Sequence, residues 1–153
     1  MKSLLVLMLL MSAPAYSATS GTLLLQGIVP QKISLTVTSV SAASSLDLST
    51  SQSDLKVATV NEQSNSKTGY KVTITSANLS KLKRTDGPEI FSYTMKYNGS
   101  AVPLTSVAGT VVTYASTNAN SNKDLNITYT GIAPELMVEG TYNDVITLTI
   151  AAQ

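Results

Sequence analysis

The chain of 153 residues contains no cysteine and no histidine. Without cysteine, an exported domain must hold together by its core alone. Without histidine, the usual general base, the commonest metal ligand and any Ser-His pair are missing. The nine acidic residues are scattered, and no phosphate-binding glycine loop occurs. These absences argue against an enzyme, and we expect no cofactor and no bound metal.

Charge is scarce as well. Charged residues make up 12% of the chain, and the formal net charge is +1. This balance offers no attraction to nucleic acid or to anionic lipid, so we expect neither as a partner. Lys81, Lys83 and Arg84 cluster in the segment Ser76 to Glu89. We predict a solvated loop there, with a contact to a ligand or an anionic partner as the alternative.

The first residues have the anatomy of a secretory signal peptide. Lys2 precedes the apolar run Leu4 to Met11, and small residues follow up to Ala18. The run is too short to span a bilayer. We therefore expect residues 1–18 to be a signal peptide, with an uncleaved membrane anchor as the alternative, and the mature chain to be exported without membrane insertion. The candidate cleavage sites follow Ala15, Ser17 and Ala18.

The segment Gly21 to Pro30 is unusually apolar for the end of a mature chain. Its sequence is GTLLLQGIVP, in which Gln26 interrupts the apolar run. In a strand, alternate residues share a face. One face would carry Leu23, Leu25, Gly27 and Val29. Such a strand needs a groove, either in its own domain or in a neighbour.

The rest of the chain, residues 31–153, has the two-residue periodicity of one β-domain. Strands are predicted at Ile33 to Thr38, Leu55 to Glu62, Tyr70 to Thr75, Phe91 to Tyr97, Ala101 to Leu104, Gly109 to Tyr114, Leu125 to Tyr129 and Tyr142 to Ala151. The dipeptide Asn98-Gly99 predicts a tight hairpin. Ser39 to Asp54 is expected to be a loop with a small edge strand at Leu46 and Leu48, and Ser116 to Asp124 a polar loop. The predicted fold class is all-β, an immunoglobulin-like Greek-key β-sandwich.

The two ends of the chain resemble those of chaperone–usher pilins. GTLLLQGIVP is similar to the pilin N-terminal extension, in which one glycine interrupts alternating apolar residues on the same face. GTYNDVITLTIAAQ resembles the pilin closing strand, with Gly140 as the fourteenth residue from the end. Gly-x-Tyr-x-Asp before an alternating strand is similar to the spore-coat-protein-U-like branch. The middle of the chain resembles the family by strand rhythm alone.

This resemblance implies a sandwich that lacks its last strand and is completed by a donor strand from another chain. It implies that residues 19–30 are the donor extension, with Leu23, Leu25, Gly27 and Val29 facing the neighbour's groove. It implies a closing strand bordering the acceptor groove, with Gly140, Tyr142, Ile146, Leu148 and Ile150. The implied partners are a periplasmic chaperone, an outer-membrane usher and neighbouring copies of this chain or related pilins. The implied destination, reached through the periplasm, is a fimbrium on the cell surface.

A second interpretation uses the same residues differently. The chain would be a self-contained exported binding domain, such as a surface adhesin or a matrix protein. Its segment from Gly21 to Pro30 would then be an ordinary first strand of its own sheet. The two interpretations differ in whether the donor-face residues are buried within their own domain.

Overall fold

A computed structural model describes residues 19–115 and 118–153. This part of the chain is all-β with antiparallel sheets, consistent with a β-sandwich, so the predicted class is confirmed. The predicted signal peptide, residues 1–18, lies outside the described residues.

Eleven strands are present in the described ranges. They are β1 (Ile33–Ser39), β2 (Gln52–Ser64), β3 (Tyr70–Ser76), β4 (Lys81–Arg84), β5 (Ile90–Ser92), β6 (Thr94–Tyr97), β7 (Ser100–Val102), β8 (Thr110–Tyr114), β9 (Ala119–Tyr129), β10 (Tyr142–Asn143) and β11 (Ile146–Ala152). Two short 3-10 helices, Ser41–Ser44 and Pro134–Leu136, lie in connections.

The strands form one large sheet and two small ones. The large sheet has the order β1-β2-β9-β6-β7, and the small sheets have the orders β11-β3-β8 and β10-β4-β5. β1 is an edge of the large sheet and β11 an edge of a small one, and these two strands approach each other. The chain therefore has two edge strands side by side.

The hydrophobic core consists of alternate residues from the facing strands. Its buried apolar members are Val57, Ala58, Val60, Tyr70, Val72, Ile74, Leu82, Phe91, Tyr93, Met95, Tyr97, Val102, Leu104, Leu125, Ile127 and Tyr129. Each fully buried Val, Leu, Ile or Phe side chain contributes about 1.5–3 kcal/mol. Phe91 and Tyr129 meet edge to face, with ring centroids 5.4 Å apart. Since the chain has no cysteine, this core stabilises the domain without the disulfides found in many exported domains.

The hairpin predicted at Asn98-Gly99 is confirmed. It joins β6 to β7, and the backbone φ angles are 49° at Asn98 and 79° at Gly99. Both values lie in the left-handed region, which asparagine and glycine tolerate better than other residues.

Three predicted connections are wrong. Lys81 to Arg84 forms β4 rather than a loop: Leu82 is buried and Lys81 and Lys83 are exposed, while Arg84, on the face of Leu82, is mostly covered and pairs with Glu89. Residues 119–124 belong to β9, where polar residues pair with the polar outer face of β2, as Asn122 does with Asn61. Leu46 and Leu48 lie in no strand, although both pack against the core.

Two predicted strands are each divided in two. The segment Phe91 to Tyr97 is interrupted at Tyr93, where the chain passes from β5 in one sheet to β6 in another. The segment Tyr142 to Ala151 is interrupted at Asp144, between β10 and β11. Periodicity continues through both breaks because the buried face does not change, whereas the hydrogen-bonded neighbour does.

A buried carboxylate links three strands of the core. Glu62 on β2 is 0% exposed. Tyr70 on β3 donates its hydroxyl to Glu62 Oε2 at 2.7 Å, and Tyr97 on β6 donates to Oε1. A carboxylate out of water is costly unless such bonds satisfy it. The cluster therefore fixes the positions of β2, β3 and β6 relative to one another.

Removal of one of these donors is expected to destabilise the fold. Tyr97→Phe leaves a lone pair of Glu62 unsatisfied in the core and should lower the free energy of unfolding by about 1–3 kcal/mol. Tyr142→Phe is the matched control, because its exposed hydroxyl donates to the carbonyl of Val138 at 2.8 Å. Urea unfolding at pH 7 measures both. Equal losses in the two variants would contradict a special cost for the buried carboxylate.

The same tyrosines should make the fold sensitive to alkali. Burial, together with the hydrogen bond to Glu62, raises the pKa of Tyr97 and Tyr70 well above the ordinary 10. Burial raises the pKa of Tyr114 to about 12. Above pH 10, the unfolded chain loses phenolic protons that the folded chain keeps, so stability falls as pH rises.

The measurement is the free energy of unfolding between pH 8 and pH 12. We expect it to stay level up to about pH 9 and then to decline toward the raised pKa values, since ordinary tyrosines titrate near pH 10. Tyr97→Phe should decline less steeply, because one linked group is gone. The same slope in both proteins would exclude Tyr97 as a source of the alkaline instability.

Candidate strand-acceptor groove and N-terminal arm

Residues 19–30 form an extended segment that belongs to no strand; we call it the N-terminal arm. Of its donor-face residues, Leu23 is 83% exposed, and Leu25 and Val29 are each 84% exposed. A Cβ built on Gly27 would have no atom within 4 Å. Leu24 and Ile28, on the other face, are exposed to the same degree. A contiguous apolar surface of this kind marks an interaction site.

The open side of the fold lies between β1 and β11, and we call this space the acceptor groove. β1 pairs with β2, and β11 pairs with β3. On their other sides, neither strand has a ladder partner among the described residues. Each therefore presents a free edge of main-chain N–H and C=O groups, which can template a further strand.

The floor of the groove is apolar and only half covered. Ile146, Leu148 and Ile150 of β11 pack against the core but remain partly exposed, as do Ile33 and Leu35 of β1. On the neighbouring strand β3, Val72 and Ile74 are 0% exposed. The side chains of β1 and β11 are more exposed than those of β3 because nothing in the described chain covers the β1–β11 side.

A cavity of about 700 Å³ lies near one end of the groove. It lies beyond the last residue of β1 and before the first residue of β11. Its apolar lining includes Leu46, Leu48, Ile132, Met137 and Tyr142. Leu46 and Leu48 come from the loop that was predicted to contain an edge strand; in the structure they line the cavity instead. Polar residues such as Asp47 and Glu139 line the cavity as well, and no residue of β1 or β11 does.

Gly140 and Tyr142 lie at the rim of this cavity and not on the closing strand itself. Gly140 has φ +150°, and a Cβ there would stand 2.8 Å from Cδ of Arg84. Tyr142 pairs with Arg84 across β10 and β4. The closing strand proper therefore begins at Ile146. The structure brings Ile146, Leu148 and Ile150 together on β11 and places Gly140 and Tyr142 next to β4.

Asp144 makes this break, and sequence reasoning did not select it as a site residue. Its carboxylate accepts hydrogen bonds from Ser76 Oγ at 2.5 Å, from Tyr93 Oη at 2.6 Å and from the main-chain N–H of Asn78 at 2.9 Å. These bonds hold the chain where it leaves β10 and enters β11. The available signal was the last position of the Gly-x-Tyr-x-Asp pattern.

Comparison with protein-family models gives no match, and no curated protein sequence matches significantly. Within residues 19–115 and 118–153, no group of three or more acidic side chains could hold a metal ion. In the same ranges, no helix is long and apolar enough to cross a membrane.

Leu148 and Thr149 are adjacent on β11 but point to opposite faces, which gives a matched pair of variants. Leu148→Asp places a carboxylate on the apolar floor and should lower the free energy of unfolding by about 2–4 kcal/mol. Thr149→Asp places the same charge in solvent and should change it by less than about 0.5 kcal/mol. Chemical unfolding of both variants measures the difference. Equal effects would show that Leu148 does not face the core.

Proposed function

We propose that this protein is a structural subunit of a surface fimbrium, assembled by donor-strand exchange. The N-terminal arm of one copy fills the acceptor groove of the next. One observation carries the proposal: the same chain has an exposed arm with alternating apolar residues and an apolar groove with two free strand edges. The arm lacks an apolar surface to cover it, and the groove lacks an apolar strand to fill it.

The N-terminal arm is long enough to fill the acceptor groove. As a strand, the 12 residues of the arm would span about 40 Å, at roughly 3.3 Å per residue. The seven residues of β11 account for about 23 Å of groove on the same measure. The remaining length is enough to reach into the cavity beyond Ile146. Burying Leu23, Leu25 and Val29 there would contribute about 1.5–3 kcal/mol for each side chain.

Main-chain pairing supplies the second part of the interaction. A strand added at the free edge of β11 can hydrogen-bond to it, which is the physics of β-strand addition. To pair with β1 as well, it would have to push the two strands apart, because some of their Cα atoms lie within 8 Å of each other and strands on either side of a third stand about 9.5 Å apart. Its alternate residues then meet the side of the groove that carries Ile146, Leu148 and Ile150. The inserted strand would complete an immunoglobulin-like Greek-key sandwich that is otherwise one strand short.

The contact between donor and acceptor is heterologous. Each copy donates at its arm and accepts at its groove, so the contact does not close on itself and grows a filament. Before assembly the free edges would promote aggregation. A periplasmic chaperone that lends a strand would cover them, and an outer-membrane usher would direct the exchange at the cell surface.

The alternative of a self-contained binding domain is less well supported. It requires the segment Gly21 to Pro30 to pair with the chain's own sheet, whereas β1 begins at Ile33 and the arm is exposed. We propose no catalytic role. Glu62, the buried carboxylate, is held by Tyr70 and Tyr97 inside the core, away from any cleft where a substrate could reach it.

Gly27 and Gly21 provide the test. A Cβ at either position meets open space, so Gly27→Leu and Gly21→Leu should both leave the melting temperature of the subunit unchanged. Gly27 lies between Leu25 and Val29 on the donor face, where a glycine marks close approach of another backbone. Gly27→Leu should therefore reduce incorporation into fibres at least tenfold, and Gly21→Leu should have little effect.

Incorporation is measured by mixing each tagged variant with wild-type subunits and quantifying the tag in purified fibres. If Gly27→Leu lowered the melting temperature of the subunit, the arm would belong to its own core, and the binding-domain alternative would gain. If both variants polymerised normally, the donor role of this face would be wrong.

A further inference from the structure

Asn65 lies directly after β2, at the base of the N-terminal arm. Its side-chain Oδ1 accepts a hydrogen bond from the main-chain N–H of Lys32 at 2.6 Å. Its Nδ2 donates to the carbonyl of Pro30 at 2.9 Å. Its own main-chain N–H donates to the carbonyl of Lys32 at 3.1 Å. One residue thus holds the chain on both sides of Gln31.

These bonds prolong the pairing of β1 with β2. The last paired residues of that ladder are Ile33 and Ser64. A side-chain amide carries the same donor and acceptor as a peptide group, so Asn65 acts as one more rung. Residues 30–32 are thereby kept in line with β1, pointing out of the domain.

The arm leaves the domain close to one mouth of its own groove. The turn that follows Asn65 also binds the end of β11: Thr68 donates its hydroxyl to the carbonyl of Gln153, and the N–H of Gln153 donates to the carbonyl of Gly69 at 3.2 Å. A chain reversal at residues 30–32 would bring the arm to the free edges of β1 and β11 in the same molecule.

Self-filling, in which an arm occupies the groove of its own chain, competes strongly with donation of that arm to another copy. A segment tethered by a short linker has an effective concentration in the millimolar range at its own site. In dilute solution, the arms of other copies are present at concentrations far below this value. Without a restraint, each arm would occupy its own groove before it met another chain.

We propose that Asn65 is a positioning residue that prevents this self-filling and directs the arm to a second copy of the chain. The inference rests on the proposed function, since it assumes that arm and groove are complementary. Reversal at residues 30–32 breaks the two side-chain bonds of Asn65. Their loss should raise the ratio of self-filled to exchanged subunits about tenfold, the scale expected for one to two hydrogen bonds.

The absence of natural cysteine makes cross-linking a clean test. Gln26→Cys places a thiol on the arm and Thr149→Cys places one on the outer face of β11. A short thiol-specific cross-linker joins them within one chain or between chains. Cross-linking is carried out at about 1 mM protein, where the arms of other copies match the effective concentration of the tethered arm. Denaturing gels then separate internally linked monomers from ladders. The full mature chain is used, in four backgrounds: wild type, Asn65→Ala, Asn65→Asp and Lys67→Ala.

We expect ladders in wild type and in Lys67→Ala, whose side chain lies in solvent in the same turn. In Asn65→Ala the ratio of internally linked monomers to ladders should rise about tenfold. Asn65→Asp keeps the acceptor for the N–H of Lys32 and loses the donor to Pro30. Its ratio of internal to intermolecular links should therefore lie between those of wild type and Asn65→Ala. Gln31→Gly loosens the same hinge without changing Asn65, and should also raise the internal share if Asn65→Ala folds poorly.

The outcomes separate this proposal from the proposed function. If ladders form equally in wild type, Asn65→Ala and Gln31→Gly, the role of Asn65 is wrong and strand exchange stands. If no background gives cross-links, the arm does not reach the groove and the proposed function fails. If wild type links mainly within one chain, both fail, and the self-contained domain is the better description.

Discussion

Within the part of the chain that the structure describes, β1 and β11 each pair with a strand on one side only, and the features of the groove depend on that. Both strands are sheet edges, they lie side by side, and their side chains are half covered. The core beneath them is well formed, since Val72 and Ile74 of β3 are fully buried. The side chains along these two edges are thus less covered than the core beneath them.

An open groove keeps its shape only if its walls are held from within. Two polar clusters do this. Glu62 with its two tyrosines ties together β2, β3 and β6. Asp144 fixes the point where the chain enters β11, through Ser76, Tyr93 and the backbone of Asn78. These hydrogen bonds hold β2, β3, β6 and the start of β11 in place without any disulfide.

The arm and the groove create a competition that the fold has to manage. An apolar strand tethered beside its own binding site fills that site first unless geometry prevents it. The side-chain amide of Asn65 addresses this where the arm leaves the domain, and it does so by extending an existing ladder. If the proposed function is right, a restraint made of a few exposed hydrogen bonds would give way when a neighbouring groove is offered.

The class of fold, the Asn98-Gly99 hairpin and the apolar arm could all be predicted from the sequence, because each is encoded in neighbouring residues. Periodicity of two shows which face is buried, but it does not show which strand lies alongside. Only the tertiary structure placed β1 and β11 at adjacent edges, made residues 119–124 a strand through pairing with β2, and broke the last strand at Asp144. The pairing of residues 119–124 with β2 and the contacts of Asn65 join residues more than 30 positions apart, and no local pattern encodes them.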